Sequence, residues 1–306
     1  MSSERVYTLD DKILKLFASK GSSGPQIANA NGVKVRRVMQ LTRDFAKASL
    51  DQLKILDLAC GEGVYAIEAA LRGADVTASD ARTERMNEGV KAAESLGLKN
   101  LRFEQADVRN INVGSQGSFD VIFFLGILYH LDKRDVFAVL KNIYEMCLQF
   151  VIIDTHISLR VDDAVEHNGQ TYYGQQMREH AADDSEQVRR DRALSSLDNA
   201  MSFWFTRESL FRLLNNVGFT SVYVCDVPLE PFKPQDRITI VARKGEPVKI
   251  SSYPWVNDKS EEEIKHVLGN SGQFSRQKNK ETRIKGAAKS LINGVLNFFG
   301  LEIRRL

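Results

Sequence analysis

Short apolar runs alternate with amphipathic stretches through most of the 306-residue chain. Residues 54–59 (KILDLA) read as a buried strand. YAIEAALRG follows as a helix stopped by Gly73, since glycine takes the left-handed conformation that ends helices. ADVTASD (74–80) is a second strand, and TERMNEGVKAAESLGL is a helix ending near Gly97. LRFEQAD is a third strand, FDVIFFLG a fourth and FVIIDTH (150–156) a fifth, with the amphipathic helix KRDVFAVLKNIYEMC between the last two. The rhythm breaks at His156. Residues 157–200 are polar and charged, carry no strong strand, and read as one or two helices or a lid. It resumes with TRESLFRLLNNVGF, a helix capped by Thr206 and followed by Gly218, then two strands, TSVYVCDV and RITIVARK, joined by PLEPFKPQD. Strands alternating with helices argue for a parallel sheet with right-handed crossovers.

The flanks differ. Residues 1–50 read as helices, with DDKILKLFASK and RRVMQLTRDFAKASL on either side of the breaker GSSGP. From Arg276 onward eight Lys/Arg face two Glu, and AAKSLINGVLNFFGLEIRRL has apolar residues at helical spacing. The expected layout is a helical N-terminal cap (1–50), an α/β domain (51–244) with an insertion at 157–200, and a basic tail with an amphipathic helix (245–306). That tail either lies on an anionic membrane surface or packs against the domain or a second subunit in a homodimer.

Composition narrows the class. Apolar residues make up 43%, enough for a packed core, and a net charge of +2 gives no general pull on nucleic acid. Cys60, Cys147 and Cys225 lack CxxC spacing, which suits a reducing compartment and argues against a cysteine zinc site. MSSERVYTLDDK has no signal-peptide core, and no apolar run approaches the roughly 20 residues of a membrane span. A soluble, cytoplasmic protein is expected.

The chemistry concentrates in LDLACGEGVY. Gly61 and Gly63 stand where the first strand becomes a helix, so a ligand can approach the backbone and its free N–H groups. Asp57 precedes the turn and would repel a phosphate, but it suits a ligand carrying an amine. Asp80 ends the second strand, where Rossmann-type sites bind ribose hydroxyls, and Asp107 follows the third. Three acids at the carboxyl ends of neighbouring strands describe a ligand with an amine, a ribose diol and an adenine, and no phosphate.

Over residues 50–244 the chain resembles the class I S-adenosylmethionine-dependent methyltransferases. ILDLACGEGVYAIEAALRGADVTASD is similar to the first two motifs of the family, ADVRN to its adenine motif and FDVIFFLGILYHL to its fourth strand and following loop, with Ala59 in place of the usual first glycine. The resemblance implies a Rossmann-like, seven-stranded, mostly parallel sheet with helices on both faces. Its last strand is antiparallel and inserted between the fifth and sixth. It also implies S-adenosyl-L-methionine as cofactor. Asp57 and the backbone from Ala59 to Gly63 would hold the methionine end, Asp80 and Ala81 the ribose, Asp107 and Val108 the adenine, and Leu125 and Gly126 the floor beside the sulfonium. A narrower resemblance, in GILYHL and NAMSFWFTRESLFRLLNNVGFTSVYVCDV, is to the branch containing the tRNA wobble-uridine carboxymethyltransferase.

A hydroxyl acceptor benefits from a general base. Tyr129, His130 and His156 follow strands four and five and are the catalytic candidates. Tyr172, Tyr173, Glu179, His180 and Trp204 are the candidate acceptor-binding residues, and no residue spacing supports a metal site. The expected activity is methylation of a small molecule at oxygen: a sugar, a glycan terminus or a secondary metabolite. A tRNA-modifying enzyme and a non-catalytic cofactor-binding scaffold are the alternatives.

Overall fold

The structure is a computed structural model that describes residues 25–192, 194–230 and 233–248. DDKILKLFASK and the tail helix lie outside those residues. Helix α1 (Pro25–Phe45) precedes β1 (Lys54–Leu58), α2 (Val64–Leu71), β2 (Asp75–Asp80), α3 (Thr83–Ser95) and β3 (Leu101–Gln105). Then come α4 (Val113–Gln116), β4 (Phe119–Leu125), α5 (Asp135–Met146) and β5 (Cys147–His156). The insertion holds β6 (Asp163–His167), β7 (Gln170–Arg178) and α6 (Glu186–Asp191), and the chain continues through β8 (Met201–Phe205), α7 (Arg207–Val217), β9 (Ser221–Val224) and β10 (Arg237–Arg243).

Seven strands form the main sheet in the order β3-β2-β1-β4-β5-β10-β9. Only β10 runs against its neighbours β5 and β9, so the last strand is antiparallel and sits between the fifth and sixth major strands, as expected. Adjacent Phe123 and Phe124 of central β4 are both fully buried, because a parallel sheet is covered on both faces. Phe124 packs with α5 and α7 (Leu140, Ile143, Leu214), and Phe123 with α1 and α2 (Val38, Ala66, Ala69). Helix α1 opens inside the expected breaker, at Pro25, since a first-turn proline has no helical N–H to lose. No helix among the described residues is long and apolar enough to cross a membrane.

The insertion departs from expectation. Its first half is not helical: β6, β7 and β8 form a three-stranded antiparallel sheet, leaving only the short α6 as helix. Strands β6 and β7 meet through Asn168 and Gly169, both at positive φ (50° and 72°), as a two-residue hairpin turn requires. Tyr172, Phe203 and Phe205 of this sheet pack on the core, while Tyr173 on the opposite face of β7 is exposed.

Candidate functional site

The carboxyl end of β1 turns through three left-handed residues, Ala59 (φ 55°), Gly61 (57°) and Gly63 (73°). At Ala59 this conformation costs about 1 kcal/mol, since a Cβ crowds the following carbonyl. At Gly63 a Cβ would lie 2.7 Å from the Phe103 ring. Gly63→Ala is therefore expected to cost about 1–3 kcal/mol of stability, read from denaturant melts, through overpacking and backbone strain together.

Asp80 braces the same loop. Its Oδ2 accepts the Gly61 N–H (2.9 Å) and its Oδ1 the Arg82 N–H (2.8 Å). Beside it Asp57 is 1% exposed, and its Oδ2 has no hydrogen-bond partner among the described residues. Burial pushes this carboxyl up to about 8, and the neighbouring Asp80 charge adds to the rise, against the N–H of Ala66, which donates to it. An unsatisfied, buried acid next to a glycine cradle is a site short of a cationic donor, which an amine-bearing ligand provides.

Asp107 is more occupied than expected. Arg109 Nε lies 3.1 and 3.0 Å from its two oxygens, Arg109 Nη2 lies 2.6 Å from Oδ2, and the Arg109 backbone N–H donates to Oδ1. The carboxylate reaches a ligand only by sharing with Arg109. Val108 buries its side chain in the core, which leaves its backbone for binding, and half-buried Ala81 presents its carbonyl to Gln105. Below, Leu125 ends β4, and Gly126 (φ 77°) donates its N–H to the Asp154 carbonyl. A Cβ at Gly126 would sit 3.7 Å from Arg237 Nη2 and 3.9 Å from the Tyr129 hydroxyl, so the glycine leaves a small space under two polar groups.

Aromatic rings close around that space. Tyr129 meets His156 edge-on with centroids 4.8 Å apart and lies 4.2 Å from His130, while His156 stacks on Trp204 at 4.7 Å. Trp204 Nε1 donates to the Tyr129 carbonyl (2.9 Å). The antiparallel register puts Arg237 opposite His156, and Thr239 opposite Asp154. Arg237 Nε donates to Asp154 Oδ1 (2.6 Å), Thr239 donates to Asp154 Oδ2 (2.7 Å), and Arg237 Nη1 faces His156 Nε2 at 3.3 Å. Burial, then the Arg237 charge, holds His156 below its ordinary value. Nε2 is thus taken up by Arg237, while Nδ1 lies 3.2 Å from Asp236 Oδ1, which opposes the shift. Burial holds the Tyr129 hydroxyl above its ordinary value, with Arg237 opposing.

His130 is different. Its Nδ1 lies 3.0 and 2.9 Å from the two oxygens of Glu179, whose Oε2 also accepts the Ser196 N–H (2.9 Å). Burial would raise the Glu179 carboxyl, but the hydrogen bond and charge of His130 take it below its ordinary value. A carboxylate on Nδ1 fixes the tautomer and leaves Nε2 as the nitrogen for proton transfer. Glu179, expected among acceptor-binding residues, is instead engaged with His130 and the Ser196 backbone.

Two of the expected acceptor-binding residues, Tyr172 and His180, are buried. Tyr172 is 2% exposed, packs on Phe137 in the core and takes a hydrogen bond from Asn216. Alternation along β7 turns it inward and its neighbour outward. His180 is equally buried, with Nε2 3.0 Å from the Ser196 carbonyl. Tyr173 is exposed, and because Gln175 pairs with Trp204 it shares the Trp204 face of the small sheet. Residues outside the expected set are Arg237, Arg82 and Arg109. The last two had a readable signal, an Asp-x-Arg repeated after two successive strands.

This strand order, with a glycine turn after β1 and acids at the ends of β1 and β2 and just after β3, is the arrangement of the class I S-adenosylmethionine-dependent methyltransferases, whose fold this chain has. Residues 55–148 match the methyltransferase domain family. The chain is similar to the ubiquinone biosynthesis O-methyltransferase of Psychrobacter cryohalolentis, 34% identical over 87 residues that cover 28% of this chain and 34% of that protein. The match thus spans about a third of the curated relative's length. Among solved structures the fold is similar to the N-terminal domain of EvdMO1 in the presence of SAH and D-fucose (TM-score 0.57, 22% identity, 74% of this chain and 86% of that one). It is also similar to magnesium protoporphyrin IX methyltransferase (ChlM) from Synechocystis PCC 6803 with bound SAM (TM-score 0.51, 15% identity, 78% and 92%). At these identities the two structures speak for the fold.

Proposed function

We propose that this protein transfers a methyl group from S-adenosylmethionine to a hydroxyl oxygen of a small molecule: a sugar, a glycan terminus or a secondary metabolite. The observation that carries the reading is the His130–Glu179 pair, which adjoins Tyr129 over the Gly126 floor. Asp57 and the loop from Ala59 to Gly63 would take the methionine end and Asp80 the ribose, with Asp107 and the Val108 backbone at the adenine. Bound there, the cofactor supplies an electrophilic methyl group. His130 Nε2 takes the hydroxyl proton as the acceptor oxygen becomes nucleophilic, and Glu179 stabilises the imidazolium that results. The aromatic box of Tyr129, His156 and Trp204 holds the acceptor and excludes water. The O-methyltransferase relative and the D-fucose in the EvdMO1 structure support an oxygen acceptor and a sugar.

The test is transfer of labelled methyl from S-adenosylmethionine into a cell extract fractionated into small molecules, glycans, RNA and protein. Label in the small-molecule or glycan fraction is expected, with at least a roughly tenfold loss in Asp80→Ala, which removes the brace on Gly61 as well as the ribose acceptor. Label recovered in RNA would overturn the reading.

A further inference from the structure

Two arginines at the same offset from two site acids hold the stretch that hydrogen-bonds both Glu179 and His130. Arg82 lies two residues after Asp80 and Arg109 two after Asp107. In each case the acid's Oδ1 accepts the arginine's backbone N–H, at 2.8 and 2.9 Å. The Arg82 guanidinium then reaches four carbonyls of the insertion. Its Nε donates to Arg190 (2.9 Å), and its Nη2 donates to Arg192 (3.3 Å), Ser195 (3.2 Å) and Ser196 (2.9 Å). Arg109 makes a two-pronged ion pair with Asp198, with Nη1 to Oδ1 at 2.8 Å and Nη2 to Oδ2 at 2.9 Å. From this same stretch Ser196 donates to Glu179, and the Asn199 side chain donates to the His130 carbonyl (3.0 Å).

We propose that Arg82 and Arg109 are positioning residues that couple occupancy of the adenosyl end of the cofactor site to the setting of the His130–Glu179 base. The proposal rests on the function given above. The Arg82 guanidinium gathers the carbonyls of Arg190, Arg192, Ser195 and Ser196, so its bonds favour the arrangement in which these four converge. Burial lowers the basicity of this guanidinium, the cost of desolvation that the converging carbonyls offset. Asp80 and Asp107 fix the backbone of these arginines, so a ligand that orders the two acids orders both anchors. The segment then loses less entropy on docking, and by reciprocity a docked segment favours the ligand. The links run Asp80–Arg82–Ser196–Glu179–His130, each a hydrogen bond of 3.0 Å or less or a covalent neighbour.

Trypsin tests this without an acceptor, because Arg189, Arg190 and Arg192 lie in the segment. Cleavage at these sites, followed by mass spectrometry, is compared in wild type, Arg82→Lys and Arg109→Gln, with and without S-adenosylhomocysteine. Lysine keeps the charge of Arg82 but cannot span the carbonyls. In ligand-free protein both variants should be cut there at least about fivefold faster than wild type, and the ligand should slow cutting of wild type by about fivefold and of the variants by much less. Calorimetry should show that both variants still bind the ligand, and kcat should fall more than the cofactor KM rises. Equal cutting of wild type and variants, or ligand binding to wild type with no protection, overturns the proposal. Failure of wild type to bind S-adenosylhomocysteine at all would show in the calorimetry as a failure of the cofactor reading and would take the coupling with it. The ligand-free rates would then still decide whether the arginines hold the segment.

Discussion

Asp57→Asn is expected to melt about 5 °C above wild type at pH 8 and to bind S-adenosylmethionine at least about tenfold more weakly. The first effect follows from burial. The carboxyl titrates at about 8 in the folded protein against an ordinary 3.8, so its ionisation weakens the fold progressively as pH rises from about 4 to 8. An ionised carboxylate in that position costs several kcal/mol. An unpartnered amide gives back about 1–3 kcal/mol of the difference, leaving roughly 2 kcal/mol in favour of the variant. The gap should close on acidification towards pH 4, where both side chains are neutral. A melting difference that does not change between pH 4 and 9 would rule this account out.

The second effect has the opposite sign because the ligand supplies the cation that the pocket lacks. At pH 7 most Asp57 carboxyls carry a proton, and the arriving ammonium displaces it. Binding to wild type should therefore release protons, seen as a dependence of calorimetric heat on buffer ionisation enthalpy, and affinity should rise with pH up to about 8. The asparagine variant should lose both dependences. One residue would thus be a liability to the empty fold and an asset to the complex.

The other large effect is at the base. His130→Gln should lose about 10²- to 10⁴-fold in kcat, the usual contribution of a general base, with cofactor binding nearly unchanged. Glu179→Gln should lose on the order of 10²-fold. Its amide can donate to Nδ1 and favour the tautomer whose Nε2 already carries a proton. His156→Gln should change acceptor KM more than kcat, since His156 Nε2 is turned to Arg237 and its ring supports Trp204. Equal kcat losses for His130 and His156 variants would remove the distinction drawn between them.

Much of this was legible in the sequence because it rests on local rules. The main sheet follows from apolar runs at regular spacing, and the positions of Asp57, Asp80 and Asp107 follow from strand ends. The insertion departs from its sequence pattern for a physical reason. Its strands have one wet face, so TYYGQQMR lacks the continuous apolar run of the buried strands, yet the Asn168-Gly169 pair was a hairpin signal in plain view. Tyr172 and Tyr173 are neighbours with opposite fates, which only the register decides. The pairing of His130 with Glu179 spans 49 positions and depends on how the insertion folds back. No local pattern carries that information.

The small sheet has a bearing on how such proteins diversify. Strand β7 is tied to the start of α7 through Tyr173, whose N–H donates to Ser209 and whose carbonyl accepts from Thr206, so the backbone behind the proposed acceptor site is held by the core. A wall fixed in this way leaves loop length little say in substrate choice. What can vary cheaply is every second side chain: Tyr173, Gln175 and Met177 share the face of Trp204, while their neighbours Tyr172 and Gly174 are committed to packing. A change of acceptor in a descendant of this chain would then be written at odd-numbered positions of one strand, and a directed library could begin with those three.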